Sequence, residues 1–236
     1  MSLVGKKIAV VSLGMCCQAT FQIRHHAKLL ASLGEDATAV ISGMPFDGLI
    51  CPPPSAARML KEDKFYPADL GELTVSEGAY WEDFNVYYWH EFRPGKLDPI
   101  IGRKINVEKS YRVLREKYQH MADKFRRLSE VERLIFVICN TQNNLPLVAE
   151  LTGTVSPRVD LASIDGLAAQ GDAFFGRPCE YVFATYPDWA SGQSARNNVT
   201  VHELSRDKSD WQGDPAQWAR VFKDTFARAP ASFARA

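Results

Sequence analysis

The sequence predicts an α/β fold, a mostly parallel sheet with helices on both faces, in a single domain over residues 1–228 with a loose tail at 229–236. Three observations carry that expectation. Short continuous apolar runs at 7–13, 134–139 and 181–185 end in glycine or polar turns, as strands buried on both faces do. Stretches with apolar residues three and four apart lie between these runs and read as helices. The 236 residues are 46% hydrophobic and 24% charged, a globular composition with no break that marks a second domain.

The first run, 7–13, ends at Gly14 and leads into Ala19, Ile23, Ala27, Leu30 and Leu33, one helical stripe. Gly34 stands just past it, where glycine caps a helix cheaply in the left-handed conformation. Pro52 to Pro54 demand an extended segment, after which Ser55 is expected to cap a short helix at 56–61. Residues 64–82 look irregular, and 83–92, rich in aromatic and β-branched residues, reads as a strand. Asn106 is expected to cap a long helix over 107–128, whose stripe runs from Val107 through Tyr111, Leu114, Tyr118, Met121 and Phe125 to Leu128. Strands follow at 134–139, 159–164 and 181–185, and Asp214-Pro215 opens a final helix.

Composition narrows the partners. Twenty-eight Lys plus Arg balance 28 Asp plus Glu, so neither nucleic acid nor an anionic membrane surface is the expected partner. No apolar stretch approaches the ~20 residues that span a bilayer. The first residues mimic a lipoprotein signal, but Met15 occupies the place of the small residue that should precede the modified cysteine. Five scattered cysteines do not make a disulfide framework, and a reducing cytoplasm is the expected compartment.

In open parallel sheets, ligands bind beyond the carboxyl ends of the strands. Cys17 falls there, in the first turn of a helix whose free N–H groups favour an anion, so a lowered thiol pKa and a nucleophilic role are expected. His90, among aromatics near a strand end, is the candidate base. Asn140, Asp47 and Asp165 all have the chemistry to orient an imidazole, and Asp47, just before Gly48, is equally suited to fixing its own turn. Ser12, Gly14 and Arg24 complete the rim as substrate-binding candidates, Arg24 for a carboxylate or phosphate. His25, His26, His120 and His202 are weaker bases, and at least one of His25 and His26 should face solvent. No dinucleotide fingerprint, P-loop, Cys-x-x-Cys or His-Glu-x-x-His occurs, so no cofactor and no metal are expected.

The run Ser12-Leu-Gly-Met-Cys-Cys17, Arg24, Pro45-Phe-Asp-Gly48, His90-Glu-Phe92, Glu116-Lys-Tyr118 and Phe136-Val137 resembles, over about residues 8–145, a bacterial family of unknown function catalogued as papain-like cysteine peptidases. Gly48 stands where that family carries Trp, Glu91 where it carries Asp, and the Arg expected after the Phe-Val strand is absent. The resemblance implies a thiol hydrolase or acyltransferase acting on a peptide, amide or ester. The order Cys17, His90, Asn140 agrees with papain, whereas a strand running straight into the cysteine helix is closer to open-sheet hydrolases. The competing expectation is a crevice that binds a sugar or nucleotide, as a binding protein or glycan-related transferase, with Cys17 a filler and Asp47, His90 and Asn140 as hydrogen-bonding ligands.

Overall fold

Alternate residues of the first strand bury on opposite sides of a sheet, and that alternation organises the molecule. The structure is a computed structural model and describes residues 7–35, 38–40, 42–75, 79–88, 91, 107–152, 156–206 and 211–228. In chain order the elements are β1 (Ile8–Ser12), α1 (Gln18–His25), α2 (Ala27–Leu33), β2 (Thr38–Val40), α3 (Pro53–Glu62), β3 (Leu73–Val75), β4 (Ala79–Trp81) and β5 (Val86–Tyr88). There follow α4 (Val107–Arg126), β6 (Arg133–Cys139), α5 (Leu145–Thr152), β7 (Val159–Asp160), α6 (Leu161–Phe175), β8 (Glu180–Thr185), β9 (Ala190–Ser191), β10 (Val199–Glu203) and α7 (Pro215–Ala227).

The main sheet has the order β10-β8-β6-β1-β2, and every pair in it is parallel. Ala9, Val11 and Leu13 join Phe136, Ile138 and Phe183 on one face, against Met59 of α3, Phe125 of α4 and Ile164 of α6. Val10, Ile135, Val137 and Val182 face the other way, against Ile23 of α1, Leu30 of α2 and Trp218 and Phe222 of α7. Burial on both faces is why these strands read as continuous apolar runs. A small antiparallel sheet, β3-β4-β5, stands beside this frame, and an isolated bridge between Ile50 and Tyr87 fastens it.

Phe125 sits at the centre of the first face, with ring centroids of Phe46, Phe65, Phe136, Phe174 and Phe175 all within 6.0 Å. Truncating it to alanine would leave a cavity that so many rings cannot collapse to fill. Phe125→Ala is therefore expected to cost about 3–5 kcal/mol, read as a lower denaturant midpoint with an unchanged m-value.

Several local expectations are corrected. The single helix expected from Ala19 to Leu33 is two, divided at His26 (φ −94°, ψ 18°), whose ring bonds Gln22 O and Pro215 O at 3.0 Å each. That second contact, to the first turn of α7, is tertiary and leaves no local signal. Gly34 has φ −102°, and the left-handed residue is Glu35 at φ 50°. Helix α3 begins earlier than Ser55 because prolines are tolerated in a first turn, and Ser55 Oγ instead donates to Asn85 O at 3.4 Å. The strand expected at 83–92 is confined, among the described residues, to Val86–Tyr88, and β3 and β4 occupy part of the stretch that looked irregular.

The largest correction is at 159–164. Only Val159 and Asp160 are strand, and Asp160 then caps α6 by accepting from Ala162 N at 3.1 Å. An N-cap aspartate ahead of Leu161, Ile164, Leu167, Ala168 and Phe175 was the available signal. Strand β10 was also missed, and it carries His202. The expected Asn106 cap lies outside the described residues.

Candidate active site

The β1–α1 turn is built by two consecutive residues with positive φ, Gly14 at 92° and Met15 at 73°. Methionine pays for that conformation, so surrounding contacts must hold it there. They are visible: Leu13 N donates to Val137 O at 3.0 Å, and Met15 N donates to Cys51 O at 2.9 Å. A Cβ on Gly14 would lie 3.4 Å from Cys51 Cβ, Cys51 O and Phe46 Cδ1. Crowding and positive φ act together, so Gly14→Ala is expected to lose about 1–3 kcal/mol in a chemical-denaturation titration.

This turn delivers Cys17 to the start of α1 at the carboxyl end of β1, between β6 and β2 in the sheet. Of the five cysteines it alone is partly exposed; the other four are buried. Its Sγ donates to Gln142 Oε1 at 3.2 Å, and Gln142 Nε2 donates to Asn144 Oδ1 at 2.6 Å. The expected fall in thiol pKa does not occur. Burial, then the neighbouring Cys16, pushes the Cys17 thiol up to about 12, against weaker opposing help from its own backbone N–H and Gln142. Desolvation outweighs the helix terminus because α1 is short and no cation offsets it among the described residues.

Asp47 is buried and fully engaged. It accepts from Gly43 N at 2.7 Å, Met44 N at 3.2 Å and Thr20 Oγ1 at 3.1 Å, with Arg24 Nη2 at 3.7 Å. Burial nevertheless raises its pKa. Its plain work is to fix the 43–47 loop against α1, and Arg24, more than half exposed, reaches toward the same carboxylate. Replacing Asp47 by alanine strips an acceptor from two backbone N–H groups and Thr20. The expected loss is about 3 kcal/mol, checked by the thermal midpoint.

Asn140 closes β6 and is fully buried. Its Nδ2 donates to Pro157 O at 2.7 Å and Trp189 O at 3.2 Å, while its Oδ1 has no partner among the described residues. Two carbonyl partners on one side fix which amide atom is nitrogen. Ser12 Oγ, at the end of β1, is likewise buried and without a partner among the described residues. Asp165 does not reach this rim: it lies in α6 and accepts from Ser194 Oγ at 2.5 Å and Ala195 N at 2.7 Å.

His90 lies outside the described residues. The described residues around it are Tyr88, which meets Tyr118 edge to face at 5.3 Å, and Glu91, which pairs with Lys117. Of the other histidines, His25 is exposed on α1, His26 is buried between Gln22 and Pro215, and His120 is exposed on α4. His202 lies in β10 with Nε2 unpartnered among the described residues, and burial lowers its pKa.

Gln142, Gln18 and the Cys16–Cys139 pair were missed as members of this site. Gln142 stood inside the polar turn after β6, but nothing in the sequence said which side chain of that turn would meet Cys17. A cavity of about 660 Å³ opens at the opposite edge, by the amino ends of β1, β6 and β8, lined by Lys7, Arg133 and Glu180 among others. It shares no residue with the Cys17 rim, where the strained turn and the partly exposed thiol lie. Among the described residues no group of three or more His, Cys, Asp and Glu is placed to hold a metal ion, and no helix is long and apolar enough to cross a membrane. Comparison with protein-family models, curated proteins and solved structures finds no match.

Proposed function

We propose that this chain is a thiol-dependent hydrolase or acyltransferase acting on a peptide, amide or ester, with Cys17 as nucleophile and His90 as base. One observation carries the reading: a continuous backbone path joins the Cys17 turn to the strand that precedes His90. Met15 N donates to Cys51 O, and the adjacent Ile50 exchanges two 2.9 Å bonds with Tyr87 of β5. His90 follows Tyr87 by three residues in the sequence.

The raised Cys17 pKa supports one of two versions of thiol chemistry. A preformed thiolate–imidazolium pair needs a thiol pKa below neutrality, whereas a thiol at about 12 stays protonated until a base removes its proton during attack. In this reading Cys17 Sγ attacks the carbonyl carbon as its proton passes to His90. Backbone N–H groups at the start of α1 hold the oxyanion. His90 returns the proton to the leaving group, and water or an acceptor nucleophile then releases the thioester. Asn140 is the better orienting group, because its Oδ1 is free among the described residues while Asp47 is already committed. Arg24 supplies a cation for a substrate carboxylate or phosphate.

The test is acylation by a p-nitrophenyl ester, with the adduct located by peptide mass mapping. A thioester on Cys17, formed roughly 100-fold more slowly in His90→Gln, is the expected result. Acylation spread evenly over the cysteines, or unchanged by His90→Gln, would overturn it. The same raised pKa favours a second reading, a sugar- or nucleotide-binding crevice or glycan-related transferase in which the thiol only packs. Under that reading Cys17→Ser remains fully active or fully competent to bind.

A further inference from the structure

The carboxyl ends of β1 and β6 bring two further thiols into contact. Cys16, in the β1–α1 turn, and Cys139, the last residue of β6, are both fully buried. Their sulfurs lie 3.4 Å apart, and Cys16 Sγ also donates to Cys139 O at 3.2 Å. Cys139 Sγ points on to Gln18 Oε1 at 3.6 Å, and the same oxygen accepts from Thr141 Oγ1. Neither thiol fills a role in the acylation chemistry above.

We propose that Cys16 and Cys139 form a redox-sensitive dithiol, which a peroxide converts to a disulfide tying the β1–α1 turn to the end of β6. A disulfide needs sulfurs about 2.05 Å apart, so closure is a shortening of roughly 1.4 Å. Both residues sit where regular structure stops, so small side-chain and turn adjustments supply the movement. The partners are 123 residues apart in sequence, so the cross-link closes a long loop and restricts the unfolded chain strongly.

The chemistry balances with hydrogen peroxide as the oxidant. One sulfur, losing its proton, attacks a peroxide oxygen; the O–O bond breaks, and sulfenic acid and one water result. The second thiol attacks that sulfur, an S–S bond forms, the S–O bond breaks, and a second water leaves. Two thiols are oxidised by two electrons in all, and one peroxide is reduced. Only a small, uncharged oxidant suits such a buried pair. Burial pushes the Cys16 thiol up, so the reaction is slow.

The proposal stands independently of the acylation chemistry, and its test does not read catalysis. Folded protein carrying Cys17→Ser is treated with hydrogen peroxide and mapped by mass spectrometry. The expected product has lost two hydrogen atoms, joins the Cys16 and Cys139 peptides, reverts with dithiothreitol and unfolds at a higher denaturant midpoint. Oxygen added to single cysteines without a cross-link, a disulfide between other cysteines, or no reaction while folded overturns the proposal. Should Cys17→Ser fail to fold, unmodified protein is loaded with phenylarsine oxide, which bridges close dithiols. After denaturation, protection of Cys16 and Cys139 alone from alkylation supports the pair, and their free alkylation refutes it.

Discussion

Raising the pH from about 8 to about 10 is expected to remove about 4 kcal/mol of folding stability through the buried thiols Cys16, Cys51 and Cys179, and about 1 kcal/mol more through the partly exposed Cys17. All three are buried, and burial, the largest cause at each, pushes their thiol pKa values up from the ordinary 9.0, to about 12 for Cys179. Unfolding returns them to water and to their ordinary value. Above about pH 9 the unfolded chain therefore binds fewer protons than the folded one, so stability falls as pH rises. Each thiol contributes about 1.4 kcal/mol per pH unit until its folded pKa is reached, and below about pH 9 the contribution is fully retained. Buried Tyr88 and Tyr118, raised for the same reason, extend the decline to still higher pH. Urea titrations at a series of pH values read the effect, and Cys51→Ala should remove about one third of the slope contributed by the three thiols. A stability independent of pH across this window would show that these thiols are hydrated in the folded state.

Modification of Cys17 by an aromatic disulfide reagent should proceed, at neutral pH, roughly 30- to 60-fold more slowly than modification of the same thiol in the unfolded chain. A pKa near 12 in place of 9.0 lowers the thiolate fraction about 1,000-fold. The more basic thiolate is the better nucleophile, which returns part of that factor. The logarithm of the rate should climb by one unit per pH unit beyond pH 9, with no plateau until about pH 12. The opposite profile, fast and flat from below neutrality, would mean an imidazolium already paired with the sulfur. It would replace the base-assisted mechanism by a preformed ion pair and leave Cys17 as nucleophile.

How far the sequence reached depended on whether the deciding contacts were local. Strand β1, the α4 stripe and the Asp214 cap of α7 were legible because period, cap and turn chemistry lie within a few residues. Helix α6 was misread as a strand at its start, where Val159–Ile164 is apolar enough for either state and the Asp160 cap decides. The break at His26 comes from Pro215, and the lodging of Gly14 comes from Cys51 and Phe46. None of these partners can be found from neighbouring positions.

At the site the same boundary holds. Residue types and order alone put Cys17 at the mouth of a helix beyond a buried first strand, and they put Asp47 before a glycine in a turn. Only the folded chain decided that Asp47 is spent on its own loop, that Asp165 belongs to α6, that Gln142 holds the Cys17 proton, and that Cys16 touches Cys139. The reason is dielectric and steric. A helix terminus acts over one turn and can be read from a dozen residues, but desolvation sums every atom packed around a sulfur, and those atoms come from strands more than a hundred residues apart.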